Sequence, residues 1–232
     1  MLHETFVALS AVASIGLVSS TMALAAPGSH KAPAVADKML GMVATAPDKL
    51  AGLRDRALLL IGFGGALRRS ELVALDVVDI KETESGLLVK IRSSKTDQER
   101  AGATIAIARG DVACPAKALQ EWLDAGGIES GPIFRPIDKG GTVRTTRLTD
   151  RSVANIVKAY ASRAGFDASV FSGHSLRAGF LTSAAGKGAS IFKMMDVSRH
   201  KSVDTLRGYV RDAELFKDHA GTVFALKADA DR

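Results

Sequence analysis

One interruption in a long helical pattern constrains the fold of this chain more than any other feature. From residue 35 onward apolar residues recur at helical spacing, block after block, and a single stretch breaks the period. Residues 87–92 and 103–108 are rich in β-branched and aliphatic side chains, and the polar segment 93–102 joins them. That arrangement predicts one β-hairpin with Lys95 near its tip. Around it the sequence predicts helices over 35–45, ended by Pro47, and along the stripe Leu53, Ala57, Leu60, Ile61 and Gly64, ended by paired glycines. Further helices are expected over 70–75, 115–125, 149–164, 174–186 and 191–197, the last capped by Ser190. Ser202 caps another, which Gly208 is expected to end just before Tyr209. The fold class is therefore α+β, mostly α-helical with a small antiparallel β-sheet.

The chemistry lies in the last third. His174-Ser175-Leu176-Arg177 is followed by His200, 26 residues after His174, and by Tyr209 nine residues later. Positions i and i+3 share a helix face, so His174 and Arg177 can address one pocket, at a helix start that itself favours an anion. A basic pocket followed by one tyrosine suggests attack on a phosphodiester by a phenol. Arginine fits that task because its planar fork grips two phosphate oxygens and stays charged. The same reasoning points upstream to Arg68, in Arg68-Arg69-Ser70-Glu71-Leu72, and to Lys95. Glu71 is placed to orient the pocket through hydrogen bonds. Tyr160, the other tyrosine, lies on the apolar stripe Val153, Ile156, Val157 and is expected in the core.

These pieces, in this order and spacing over residues 35–225, resemble the tyrosine recombinases of the phage integrase family. The resemblance implies that family's catalytic-domain fold and an enzyme that cuts and rejoins DNA through a 3′-phosphotyrosyl intermediate. It implies Tyr209 as nucleophile, Arg68 and Arg177 on the phosphate, and Lys95 donating a proton to the departing 5′-oxygen. His174 would accept or share the tyrosine proton, and His200 would hydrogen-bond the transferring phosphoryl. No metal or cofactor enters that scheme. The implied partners are double-stranded DNA and further copies of the chain, a tetrameric synapse joined through the amphipathic segment 211–226, with Leu215, Phe216, His219, Val223 and Phe224 on its stripe.

Relatives also carry a helical domain ahead of the catalytic one, and the two clamp the duplex. The segment 1–34 is too short and featureless for that domain, so weak, salt-sensitive DNA binding is expected. This leaves open a non-enzymatic DNA- or recombinase-binding module, or a type IB topoisomerase-like enzyme. Residues 5–26 carry no charge, but Glu4 stands where a signal peptide would have a positive flank, so 1–34 reads as a leader and linker. Cytoplasmic location is the expectation, and Cys114, the one cysteine, allows no internal disulfide. A net charge of +6 agrees with nucleic acid as partner. Its densest contribution is seven Lys/Arg against two acids over 133–163, a candidate phosphate-facing surface.

Overall fold

The computed structural model describes residues 35–92 and 102–213. The chain divides into two units, Met1–His30 and Lys31–Arg232, and everything described belongs to the second. Lys95, expected near the hairpin tip, lies outside the described residues, as do the segment 1–34 and the segment beyond residue 213.

Helix α2 (Leu50–Gly64) is the axis of the core. Five consecutive residues, Ala57 to Ile61, are at most 6% exposed, which a helix achieves only when surrounded. It packs against α1 (Ala36–Ala44), α4 (Pro115–Gly126), α5 (Asp150–Arg163) and α6 (Ser175–Gly186). Close approach explains its glycines: a Cβ on Gly62 would stand 2.8 Å from Leu176 Cδ1, and one on Gly64 2.8 Å from Ile107 Cγ2. Trp122 of α4 is fully buried and donates its indole N–H to Ile133 O at 2.9 Å.

Three antiparallel strands, β1 (Ile80–Thr83), β2 (Gly86–Ile91) and β3 (Ala103–Ala108), lie in that order. The hairpin is as the sequence predicts. Its register pairs Leu87 with Ile107 and Val89 with Ile105, so one face carries the buried aliphatics. Strand β1 has no apolar alternation to reveal it, because it is an edge strand whose Lys81 and Glu82 face solvent. Gly86 has φ +143°, and a Cβ there would sit 2.1 Å from Ile107 O, so only glycine fits the tight return from β1.

Beyond the main core, α6 carries a second, smaller cluster. Leu181 and Ala185 of α6, Met194 of α7 (Ile191–Ser198) and Leu206 of α8 (Val203–Ala213) are buried together, with Phe180, Tyr209 and Val210 packed against them. Here the structure corrects the sequence reading, because α8 does not end at Gly208 but runs through it. Leu206, Tyr209 and Val210 recur at i, i+3 and i+4. Their packing outweighs the roughly 1 kcal/mol that glycine costs inside a helix. Among the described residues no helix is long and apolar enough to cross a membrane.

Several cations of the basic stretch 133–163 also have partners within the protein. Arg147 caps Val73 O at 2.8 Å and pairs with Asp76 at 2.7 Å, Arg144 pairs with Asp138, and Arg135 donates to Ser130 O and Pro132 O. Arg163 lies over the Tyr160 ring at 4.8 Å. Four of the seven cations therefore have partners within the protein, which a charge count cannot see.

Candidate active site

The site begins where α2 ends. Gly65 closes the helix, and the next residue, Ala66, is fully buried with φ +45°, an unusual conformation outside glycine. Helix α3 (Arg69–Ala74) follows, with Arg68 at its N-cap. Glu71, three residues on, accepts the Arg68 backbone N–H at 2.8 Å through Oε2 and the Arg68 guanidinium at 2.6 Å through Oε1. Its carboxylate is buried, so it requires these charged donors. Glu71 thus holds both the backbone N–H and the guanidinium of Arg68.

Two further arginines converge on the same turn. Arg177, in the first turn of α6, is 7% exposed and donates to Ala66 O at 2.7 Å. Arg199 donates to Glu71 Oε2 at 2.6 Å, to Val197 O, two residues back, at 2.6 Å, and to Gly65 O at 3.3 Å. Burial pushes the Arg177 guanidinium down to about 10, with the charges of Arg68 and Arg199 acting in the same direction. Arg199 is lowered too, by burial, against the opposing pull of Glu71. At about 10 the Arg177 guanidinium is still cationic at neutral pH. Three guanidinium groups around one carboxylate make a pocket suited to a phosphodiester.

His200 closes this pocket. The Ser198 hydroxyl donates to Met194 O at 2.6 Å, so its lone pairs accept His200 Nδ1–H at 2.8 Å. That chain leaves Nε2 unprotonated, 3.2 Å from Arg177 Nη2. Burial, then Arg177, Arg68 and Arg199, push His200 down to about 4, so the ring is neutral near pH 7. Tyr209 stands half-buried on α8; burial raises its pKa, and the Arg177 guanidinium opposes that rise. The phenol is therefore protonated at rest and within the field of the cluster.

The fold gathers Arg68, Glu71, Arg177, His200 and Tyr209. His174 is the N-cap of α6, and it is exposed where Arg177, three residues on, is buried. Lys95 lies outside the described residues. The two conspicuous sequence motifs touch through Gly173, where a Cβ would fall 1.9 Å from Arg69 Cδ. Sequence reasoning missed Arg199 and Ser198. Adjacency to His200 was the only available signal, and neither the left-handed backbone of Arg199 nor its reach to Glu71 is written in spacing.

Comparison with known proteins identifies the family and supports the fold. The model of the phage integrase family matches residues 34–215. The integrase/recombinase xerD homolog of Selenomonas ruminantium is 46% identical over 175 residues, covering 75% of this chain and 51% of the relative. The recombinase cre of Escherichia phage P1 is 27% identical over 198 residues, covering 79% and 56%. The chain spans about half the length of the curated relatives it matches. Among solved structures, XerH bound to palindromic difH substrate in a post-cleavage complex superposes with a TM-score of 0.67 at 17% identity, covering 85% of this chain and 54% of that one. The XerA recombinase superposes at 0.64 and 20% identity, covering 85% and 66%.

Proposed function

This chain belongs to the phage integrase family, the tyrosine recombinases, and from that premise we propose that it is a DNA strand transferase acting through Tyr209. The observation that carries the reading is the convergence of Arg68, Arg177 and His200 around Glu71, with the phenol of Tyr209 in the field of Arg177.

In the proposed reaction Arg68 and Arg177 grip the non-bridging oxygens of one phosphodiester in double-stranded DNA and stabilise the charge that develops there. The Tyr209 oxygen attacks phosphorus and the bond to the 5′-oxygen breaks, giving a 3′-phosphotyrosyl link and a free 5′-hydroxyl. The phenol proton passes to His174, and the departing oxygen takes a proton from Lys95. Reversal with another 5′-hydroxyl rejoins the strand. His200 would donate to the phosphoryl group through Nε2 once that nitrogen takes up a proton, because Nδ1 is committed to Ser198. The phosphate charge offsets the arginines that keep the ring neutral in the free site. The same reading has several copies assemble on the duplex through residues 211–226.

A duplex nicked beside the scissile phosphate tests this. The released strand diffuses away, so the covalent adduct accumulates, and denaturing gels count it. The parent chain is expected to form the adduct and Tyr209→Phe to form none, while sizing of the trapped complex counts protomers. An adduct that survives Tyr209→Phe would overturn the assignment.

A further inference from the structure

Among the described residues two non-glycine residues have positive φ, Ala66 at 45° and Arg199 at 58°. They lie on segments far apart in sequence and meet in space, with Arg199 Nη2 3.5 Å from Ala66 O. Arg199 is the C-cap of α7, a place where glycine would meet the left-handed requirement without strain. Instead a long cation is held there, its side chain 10% exposed and its Nε buried without a hydrogen-bond partner. Strain and desolvation both weigh against this arrangement, so what favours it must be what the side chain does.

Its contacts show what that is. The guanidinium reaches Gly65 O, Ala66 O and Glu71 Oε2, and ties back to Val197 O on its own segment. Arg68 is oriented by the same Glu71, and Arg177 is anchored on the same Ala66 carbonyl at 2.7 Å. Resting on the reaction proposed above, we propose that Arg199 is a positioning residue: a strut that fixes Glu71 and the Ala66 carbonyl, and through them sets Arg68 and Arg177 relative to His200. Its effect on the phosphodiester is transmitted through those groups. Without it Glu71 Oε2 keeps, among the described residues, only the Arg68 backbone N–H, and the carboxylate that holds the Arg68 fork can turn.

Arg199→Gly provides the sharpest test, because glycine adopts the same backbone freely while the strut is lost. Adduct formation is measured on the nicked duplex at saturating DNA and expressed per folded molecule, with duplex affinity measured separately. The strut predicts a fall in rate of at least tenfold, with affinity within about threefold, and a partial return of rate in Arg199→Lys, which restores one contact to Glu71. A rate per folded molecule within twofold of the parent would overturn it, as would loss of affinity alone. The titration of His200, followed by NMR in the DNA-free chain, reads the same strut without turnover. His200 faces Arg177, Arg68, Arg199, Glu71 and Ser198. Removing Arg199 moves its titration upward, whereas an unmoved titration argues against the strut even if the parent forms no adduct. Absence of adduct in the parent would count against the proposed reaction alone.

Discussion

The two tyrosines of this chain sit in two differently built regions. Tyr160 is 1% exposed in the main core, hydrogen-bonded to the buried Asp55, and burial together with that carboxylate pushes its phenol up to about 12. Tyr209 is half-buried on the last described helix, against a cluster whose fully buried members are Leu181, Ala185, Met194 and Leu206. Its one opposing influence is a cation, Arg177. The first phenol is locked as a neutral donor and serves structure. The second is lightly held beside positive charge, the setting a nucleophile needs if it must move onto a phosphorus atom. Small clusters open locally at lower free energy than large cores. On the proposed reaction, the contrast predicts that α8 opens more readily than the helices of the main core.

The largest effect should come from cutting into each core in turn. Leu58→Ala in α2 empties a fully buried site in the main core and should cost about 2–5 kcal/mol in urea unfolding, with adduct formation per folded molecule unchanged. Leu206→Ala, equally buried but in the small cluster, should cost clearly less globally while lowering adduct formation about tenfold, because α8 is released. Equal costs for both would show one cooperative core and end the comparison.

A smaller effect separates the phenols themselves. Tyr160→Phe removes a donor from the buried Asp55 and should cost about 1–2 kcal/mol with no change in adduct yield. Tyr209→Phe should change stability by no more than about 0.5 kcal/mol while abolishing the adduct. Adduct loss in Tyr160→Phe at full stability would put the wrong tyrosine in the role.

The smallest effect probes the pocket. His200 titrates near 4 in the folded chain against an ordinary 6.5, so between those values the unfolded chain binds more protons. Stability must then fall as pH drops below about 6.5 and level off near 4. Replacing the ring with Gln should remove on the order of 1 kcal/mol of the loss between pH 7 and pH 5, after allowing for the partly exposed ring. Urea midpoints of both chains at the two pH values measure it. Parallel losses would mean that His200 is not held neutral by its neighbours.

Taken alone, the sequence determined the local elements and the reactive residue types. Apolar spacing gives α2 and α5, β-branched runs give the hairpin, and Ser190 and Ser202 mark helix starts, because each depends on contacts within a few residues. The order Arg68, Glu71, Arg177, His200, Tyr209 was legible through the resemblance to the tyrosine recombinases. Only the tertiary structure decided how far α8 runs, since packing of Leu206 and Val210 overrides Gly208. It alone assigned Arg135, Arg144 and Arg147 to structural partners, exposed His174 while burying Arg177, and brought Arg199 to Glu71 across 128 residues of chain. Those outcomes turn on long-range proximity and on the desolvation of charge. Neither has a local signature, because both depend on which distant surface a side chain meets.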